Sequence, residues 1–274
     1  MTTEPEKRQR QGLETILVLG LDKYERPEKA IGYVNNTQSD FLLLVVLDRE
    51  NQKIEALHIN RDTMTEITRL GVFSAAAGKY TAQIALAHAY GSGGSDSALN
   101  AVKAVSNFLG GVKIDHYMTF TMDSVGIIND MVGGVTVTVE DDFSEYDPTL
   151  VQGEQITLKG DQALHYVRGR INVADGTNLN RMARQRQFMT GLFEKVMEAA
   201  AQDEAFFEKL MKKLSDSFDT DMSLYQLNAL PESVAGYTME PFRTIEGENR
   251  RGEFMEFYAD PASVREQVEA LFYE

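Results

Sequence analysis

The stretch Phe41–Asp48, FLLLVVLD, contains the longest apolar run of the chain and predicts a strand buried inside a sheet. Two neighbouring stretches extend this sheet. Glu14–Gly20, ETILVLG, is a short apolar run that ends in glycine, and Lys53–Ile59, KIEALHI, alternates as a strand should. Because these three segments lie close in the sequence, we expect them to pair in one sheet.

Helical and extended patterns alternate through the rest of the chain. The sequence predicts further strands at His116–Thr121, Val135–Val139 and Phe254–Tyr258. It predicts helices at Thr81–Tyr90, Ser95–Leu109 (capped by Ser95), Asp123–Met131, Gly160–Val167, Asn178–Ala201, Glu204–Phe218, Ser223–Leu230 and Pro261–Phe272. The predicted fold class is α/β, a single layered helix–sheet–helix domain with a central mixed β-sheet over residues 14–274. Residues 1–13 are interpreted as a polar tail or the remnant of a truncation.

Composition excludes several classes of protein. The 274 residues carry 27 Lys and Arg against 42 Asp and Glu, a formal charge of −15, which argues against nucleic acid as a partner. The absence of cysteine excludes disulfides, thiol nucleophiles and cysteine-ligated metals. No run of 18 apolar residues occurs, so the sequence predicts no membrane-spanning segment.

The basic residues of this acidic chain are clustered in three places. One follows the third strand, a pair flanks a glycine after a short predicted helix, and a group opens the longest predicted helix. The clustered arginines are Arg61, Arg168, Arg170, Arg181 and Arg184, and the amide of Gln185 accompanies the last group. Arginines near a helix N-terminus are typical of a phosphate site. The alternative, that they bridge the acidic surface, stays open on the residues alone.

Two acids stand at strand ends. Asp22 follows the first predicted strand, and Asp40 immediately precedes the second. Two carboxylates together with phosphate oxygens suit Mg²⁺, which keeps several waters and takes few protein ligands. The alternative interpretation is that Asp22 caps a turn and Asp40 caps a strand.

Six segments in order resemble the LytR-CpsA-Psr family of cell-wall phosphotransferases. They are ILVLGLD (Ile16–Asp22), Ser39–Leu47, HINRDT (His58–Thr63), MVGGVTVTV (Met131–Val139), LKGDQALHYVRGR (Leu158–Arg170) and NLNRMARQRQ (Asn178–Gln187). The resemblance implies transfer of a glycopolymer, such as teichoic acid or capsular polysaccharide, from a polyprenyl pyrophosphate carrier to peptidoglycan. It also implies an extracytoplasmic domain held to the cell membrane by an N-terminal helix that this chain lacks.

The resemblance assigns roles to residues of this chain. It implies that Asp22 and Asp40 bind Mg²⁺, and we expect Asp40 or Asp62 to be the general base. We predict a catalytic set of Arg61, Asp62 and Arg181, and a substrate-binding set of Arg168, Arg170, Arg184 and Gln185. Arginine and Mg²⁺ would stabilise charge on the pyrophosphate electrostatically, without a covalent nucleophile. Apolar residues of the predicted helices Thr81–Tyr90, Ser95–Leu109 and Arg186–Val196 are expected either to line a lipid slot or to be ordinary core.

The chain departs from the family at two positions. Asn60 stands where a proline commonly precedes the Arg-Asp pair, and Asn178 stands where the family commonly has an acid. These two departures motivate one alternative, a binding module that holds polyprenyl phosphate or an anionic polymer without turnover. A lipid pyrophosphatase is a further alternative, because water can replace the acceptor at the same site.

Overall fold

The computed structural model describes residues 8–22, 37–170, 173, 178–215 and 217–274. The chain divides into two compact units. The first, named here the sheet unit, comprises Met1–Thr119, Asp219–Asp221 and Gly236–Glu274. The second, named the helix unit, comprises Phe120–Phe218 and Met222–Ala235. The expectation of one domain over residues 14–274 stays a prediction.

Strands and helices alternate along the described chain. The strands are β1 Leu13–Leu21, β2 Ser39–Asp48, β3 Lys53–Ile59, β4 Met64–Leu70, β5 Ala76–Gln83, β6 His116–Thr121, β7 Thr136–Thr138, β8 Gln155–Thr157, β9 Phe218–Thr220, β10 Thr238–Met239, β11 Arg243–Thr244, β12 Gly247–Arg251 and β13 Met255–Ala259. The helices are α1 Leu86–Ala89, α2 Gly94–Phe108, α3 Ser124–Met131, α4 Asp161–Arg168, α5 Asn178–Gln202, α6 Phe206–Lys213, α7 Leu224–Ser233 and α8 Pro261–Phe272. None of the helices described is both long and apolar enough to cross a membrane.

The main sheet is mixed, as the sequence predicts. Its strand order is β10-β3-β2-β1-β6-β9, and β11 also pairs with β3. The strands β1, β2 and β3 pair antiparallel, whereas β10 and β11 run parallel to β3. The predicted α/β class with a central mixed sheet is therefore confirmed, and the three apolar stretches that predicted the sheet are its neighbouring strands.

Apolar side chains of β1 and β2 form the core of the sheet unit. Leucines of both strands pack with residues of α2 and α8, including Leu17, Leu19, Leu42, Leu44, Ala101, Val105 and Leu271, all of which are buried. Burial of both faces explains why these strands are nearly continuous apolar runs. The buried face of α2 belongs to this core, and the proposal of a lipid slot stays a prediction.

The predicted helix Thr81–Tyr90 is wrong over its first half. Thr81–Gln83 belong to β5, which pairs antiparallel with β4 in a hairpin, with Ile67 opposite Tyr80. Only α1 is helical in this region. The spacing of apolar residues in this segment is helical, but its first residues form a strand. The reason is that β4 hydrogen-bonds to the backbone of β5 along its length.

Two other helix predictions need correction. Ser95 does not cap α2, which starts at Gly94 after Gly93 without a side-chain cap. The predicted helix Glu204–Phe218 ends early, since α6 stops at Lys213 and Phe218 begins β9. Both errors lie at helix ends, where sequence signals are least reliable.

Part of the segment expected to be a polar tail is anchored in the sheet unit. The Arg10 guanidinium pairs with Asp48 and Glu55, which are both buried, the latter at 2.9 Å. It also donates to the carbonyl oxygens of Ala270 and Leu271 at 3.1 and 3.0 Å. Residues 1–7 lie outside the described residues.

Candidate functional site

The antiparallel register places the predicted acids and Arg61 at one end of the sheet. Leu21 near the end of β1 lies opposite Ser39 at the start of β2, and Leu42 lies opposite Ile59 at the end of β3. Asp22, Asp40 and Arg61 follow or adjoin these positions. We call Gln38, Asp40, Arg61 and Asp62 the sheet-end cluster.

Asp40 occupies an irregularity in the strand pairing. Gly20 lies opposite Phe41 and Leu21 lies opposite Ser39, so Asp40 is the extra residue of a β-bulge. A bulge re-aims the side chain that it carries and is often found at sheet ends next to functional sites. The backbone N–H of Asp22 donates to the carbonyl oxygen of Gln38 at 3.1 Å, which ties the end of β1 to the start of β2.

Side chains hold the Arg61 guanidinium from several directions. One terminal nitrogen donates to Asp40 Oδ1, and the other donates to Gln38 Oε1 at 2.6 Å. The inner nitrogen, Nε, lies 3.3 Å from Asp62 Oδ1. The Arg61 side chain is 15% exposed. The planar guanidinium of Arg61 is thus held in one orientation at the sheet end, and part of it stays accessible. This combination suits the binding of an oxyanion.

Asn60 shapes the turn that presents Arg61. Its side-chain oxygen accepts from the Asp62 backbone N–H at 3.0 Å, and its carbonyl oxygen accepts from the Thr63 hydroxyl at 2.6 Å. An asparagine side chain that bonds two residues ahead mimics a backbone turn. Asn60 therefore gives a local reason for the turn without the proline that the family commonly has at this position.

Asp62 is anchored by segments distant in sequence. Its Oδ1 accepts from Gln83 Nε2 at 3.0 Å, and its carbonyl oxygen accepts from the Phe257 backbone N–H at 2.8 Å. Gln83 also donates to the Met255 carbonyl at 2.6 Å. The Asp62 side chain is 4% exposed, so its carboxylate orients Arg61 from inside the fold.

Backbone hydrogen bonds connect the turn before α1 to the sheet-end cluster. Ala85 donates its N–H to the Arg61 carbonyl at 3.2 Å and accepts from the Ser39 N–H at 3.1 Å. His88 on α1 is buried, and its Nδ1 lies 2.9 Å from the Thr37 carbonyl oxygen. Burial lowers the pKa of His88 to about 4, since desolvation disfavours the imidazolium. His88 is therefore neutral at pH 7 and holds the segment that leads into β2.

The donor set of Asp22 and Asp40 fits a hard, oxygen-binding cation. Both carboxylates stand at neighbouring strand ends, and carboxylate oxygens are ligands that Mg²⁺ prefers. Within the described part of the chain, no group of three or more His, Cys, Asp or Glu side chains could share a metal ion. Mg²⁺ characteristically keeps several waters and is held by one or two carboxylates together with phosphate oxygens, which this donor set allows.

In the helix unit, Arg184 clamps the end of α4. Its Nε donates to the Tyr166 carbonyl at 3.0 Å, and its terminal nitrogens donate to the Gly169 carbonyl and to Asp141. The guanidinium also lies over the Phe143 ring, 5.2 Å from its centre. The side chain is 4% exposed. These carbonyls belong to the C-terminal end of a helix, which carries unpaired acceptors and partial negative charge.

Gln185 completes this clamp. Its Nε2 donates to the Val167 carbonyl at 3.2 Å, and the side chain is buried. Together with Arg184, it fixes the end of α4, from which Arg168 and Arg170 follow. Arg168 is exposed and Arg170 is half-buried. The clamp thus fixes the segment that carries two more accessible arginines, while Arg184 and Gln185 themselves bind backbone carbonyls and Asp141.

The side chain of Asn178, which stands where the family commonly has an acid, holds Arg181. Asn178, the first residue of α5, accepts from Arg181 Nε at 3.1 Å and from Nη2 at 2.7 Å through a single side-chain oxygen. Both residues are buried. A neutral amide oxygen thereby performs the orienting role of a carboxylate at this contact.

The predicted catalytic set is divided between the two units, with Arg61 and Asp62 in the sheet unit and Arg181 in the helix unit. Asp40, Arg61 and Asp62 meet in the sheet unit, and Arg181, Arg184 and Gln185 lie on one helix turned toward α4 or Asn178 in the helix unit. Sequence reasoning missed Gln38 and Gln83. Gln38 had no reliable signal, because the bulge at Asp40 interrupts the alternation of side chains at the start of β2. Gln83 had none, because its partners are far away in sequence.

Comparison with known proteins finds a matching family and several similar proteins. The sequence model of the LytR_cpsA_psr family matches residues 2–271 of the chain. The chain is 29% identical over 238 residues to the polyisoprenyl-teichoic acid–peptidoglycan teichoic acid transferase TagV of Bacillus subtilis, covering 84% of this chain and 55% of TagV. It is 30% identical over 228 residues to the transferase TagU of Halalkalibacterium halodurans, covering 81% of this chain and 65% of TagU.

A solved structure shows the same fold. The crystal structure of B. subtilis TagV aligns with a TM-score of 0.70 and 25% identity, covering 95% of this chain and 97% of that one. The chain spans between about half and two thirds of the length of the two curated relatives.

Proposed function

Because the chain belongs to the LytR_cpsA_psr family, we propose that it is a phosphotransferase acting on polyprenyl-pyrophosphate-linked glycopolymers. It transfers a polymer of the teichoic acid or capsular polysaccharide type to peptidoglycan. The names of TagV and TagU support the teichoic acid class. The observation that carries the proposal is the sheet-end cluster, where a partly exposed guanidinium is held by two carboxylates and an amide.

Arg61 binds the pyrophosphate and stabilises the charge that develops during transfer. Attack on a phosphoryl group spreads negative charge over the transferred and leaving oxygens, so preorganised cations lower the barrier. The hydrogen bonds to Asp40 and Gln38 set the plane of the guanidinium before the ligand arrives. Little reorganisation is then needed during the reaction.

Asp22 and Asp40 would hold Mg²⁺. The ion, when bound, neutralises charge on the pyrophosphate oxygens. Asp40 is already paired with Arg61, so a cation that binds without pyrophosphate has to compete with the guanidinium. We therefore propose that the carboxylates hold the ion weakly until phosphate oxygens contribute ligands and share Arg61.

The two candidates for the general base differ in their surroundings. Asp62 is buried, and one of its oxygens faces both Gln83 and Arg61, so we propose that it is a positioning residue. Asp40, whose side chain is 13% exposed, is the more accessible of the two. A base must come within hydrogen-bond reach of the acceptor hydroxyl, which favours Asp40.

In the helix unit, Arg168 and Arg170 bind anionic groups of the substrate, and Arg181 adds positive charge. Arg184 and Gln185, expected from the sequence to bind substrate, position the arginine pair through the end of α4. We propose an extracytoplasmic location at the cell membrane, since the carrier is a membrane lipid and the acceptor is the cell wall.

The test is release of polyprenyl phosphate from a lipid-linked pyrophosphate glycan, with and without a peptidoglycan acceptor. Release that requires the acceptor supports transfer. Release without the acceptor indicates a lipid pyrophosphatase, and tight binding without release indicates a binding module. Arg61→Ala is the inactive control. Arg250→Ala, which removes a largely exposed arginine of β12, is the matched control and is expected to behave as wild type.

A further inference from the structure

Gln83, at the end of β5, joins the sheet-end cluster to the strand β13 near the end of the chain. Its Nε2 donates to Asp62 Oδ1 at 3.0 Å and to the Met255 carbonyl oxygen at 2.6 Å. An ionised carboxylate and a backbone carbonyl only accept hydrogen bonds, so the nitrogen of the amide has to face both of them. A side-chain amide nitrogen carries two hydrogens, and Gln83 uses both in these contacts.

Backbone hydrogen bonds place Gln83 next to the turn that carries the cluster. The Ile84 N–H donates to the Thr63 carbonyl at 2.8 Å, and the Ala85 N–H donates to the Arg61 carbonyl at 3.2 Å. The chain that leaves β5 is therefore tied to this turn by its main chain. The side chain of Gln83 reaches the cluster from a fixed backbone position.

The strand β13 closes a ring of hydrogen bonds around the same contact. The Phe257 N–H donates to the Asp62 carbonyl at 2.8 Å, and Met255, two residues earlier on β13, accepts from Gln83. Asp62 is thus held at its main chain and at its side chain by one strand, the second time through Gln83. Connected hydrogen bonds of this kind support one another, and a ring that loses one member becomes weaker as a whole.

The ring fixes the carboxylate that faces Arg61. Asp62 is 4% exposed, and the oxygen that accepts from Gln83 also lies 3.3 Å from Nε of Arg61. That nitrogen is buried. Asp40 and Gln38 hold only the terminal nitrogens of the guanidinium. Without the amide of Gln83, the Asp62 carboxylate can turn about its Cβ–Cγ bond, and the inner end of the guanidinium loses its fixed partner.

We propose that Gln83 is a positioning residue for the transfer reaction, acting on Arg61 through Asp62 with β13 as its second anchor. The inference rests on the proposed function, which assigns the Arg61 guanidinium to the pyrophosphate. Electrostatic catalysis requires a donor that is aimed before charge develops on the reacting oxygens. Loss of Gln83 keeps the positive charge but not its aim, so the reaction step should suffer more than substrate binding. The alternative is that Gln83 only holds β13 to the fold.

Gln83→Leu removes both donated hydrogens and keeps a side chain of similar size. With a lipid-linked pyrophosphate glycan and peptidoglycan, kcat should fall about tenfold while KM changes by less than about threefold. Gln152→Leu is the matched control and should behave as wild type, since Gln152 donates to the Glu140 carbonyl at 2.8 Å in the helix unit. Rates are compared at a temperature at which circular dichroism shows every variant folded. An unchanged kcat, or a higher KM alone, overturns the inference.

Asp62→Ala tests the route of the effect. If Gln83 acts through Asp62, adding Gln83→Leu to Asp62→Ala should lower kcat by less than about twofold further, because the two losses are not independent. Two losses that multiply would show that Gln83 acts by another route and would refute the proposal.

A measurement without turnover separates this inference from the proposed function. The Arg61 Nε–H signal in the ¹H–¹⁵N NMR spectrum is assigned by its absence from Arg61→Lys. In Gln83→Leu, this hydrogen should exchange with water faster than in wild type, whereas Gln152→Leu should leave the exchange unchanged. Equal exchange in Gln83→Leu and wild type contradicts the positioning role. Absence of turnover in wild type contradicts the proposed function instead.

Discussion

Arg61 in the sheet unit and Arg184 in the helix unit are both embedded arginines, yet their partners differ in kind. Arg61 is bound by the side chains of Asp40, Gln38 and Asp62 at a strand end and is 15% exposed. Arg184 donates mainly to backbone carbonyls at a helix C-terminus, pairs with Asp141 and is 4% exposed. Side-chain partners can exchange when an anion arrives, whereas helix-terminal carbonyls lose their hydrogen bonds if the guanidinium leaves.

The comparison separates two uses of arginine that look the same in a sequence. The guanidinium of Arg61 is preorganised but accessible, so it can act on a ligand. The guanidinium of Arg184 is fully engaged, so it acts on its own fold by fixing the end of α4. The four predictions that follow challenge or refine this distinction.

The largest effect is expected from Arg61→Ala. Removing one preorganised donor from developing charge typically costs about 10²–10³ in rate, so turnover of a lipid-linked pyrophosphate should fall by that factor. Arg61→Lys should recover little, because an ammonium cannot form the bidentate contact. Ligand binding and turnover are measured together with Tm. Wild-type affinity in the alanine variant would show that Arg61 only neutralises Asp40.

Arg184→Ala should act mainly on stability. Removing one member of a buried ion pair typically costs about 3–5 kcal/mol, and here the Tyr166 and Gly169 carbonyls also lose a donor. Urea unfolding monitored by circular dichroism measures the change, with Arg250→Ala as the surface control. A variant that unfolds like wild type but loses ligand binding would place Arg184 in the substrate site and break the comparison.

Asp40→Asn tests whether Asp40 binds a cation or only holds Arg61. The amide keeps an oxygen for Arg61 but lacks the charge for a cation, so Mg²⁺-dependent turnover should fall more than tenfold, about 1.4 kcal/mol of barrier. The measurement is a Mg²⁺ titration of turnover for wild type, Asp40→Asn and Asp22→Asn. Overlapping curves for wild type and Asp40→Asn would mean that Asp40 serves only to hold Arg61.

The smallest effect is expected from Asn178→Asp. A carboxylate at the first position of α5 is favoured by the helix dipole and strengthens the contacts to Arg181, together about 1 kcal/mol. Thermal unfolding should shift upward by about 2–4 °C. Turnover of the same variant shows whether the asparagine lowers activity. A lower Tm would mean that the Arg181 charge is already compensated elsewhere.

Much of the fold follows from local pattern. β3 at Lys53–Ile59 and α8 at Pro261–Phe272 have the predicted bounds, and α5 extends one residue beyond its predicted end at Ala201. Alternation or helical spacing agrees with the final structure in these segments, because their own side chains decide which face is buried. The predicted helix at Thr81–Tyr90 failed since β5 is defined by its pairing with β4, a contact that local spacing does not report.

The sequence by itself determined which residue types are available for phosphate and metal chemistry and which strand or helix carries each. Arg61 after β3, Asp40 at the start of β2 and Arg181 in the first turn of α5 follow from motif and periodicity. Only the tertiary structure decided the contacts that these side chains make. Strand register made Asp40 a bulge residue beside Arg61, and helix packing turned Arg184 toward the carbonyls of α4. The physical reason is that the use of a charged side chain depends on the partners and exposure it meets, and residues far apart in sequence supply both.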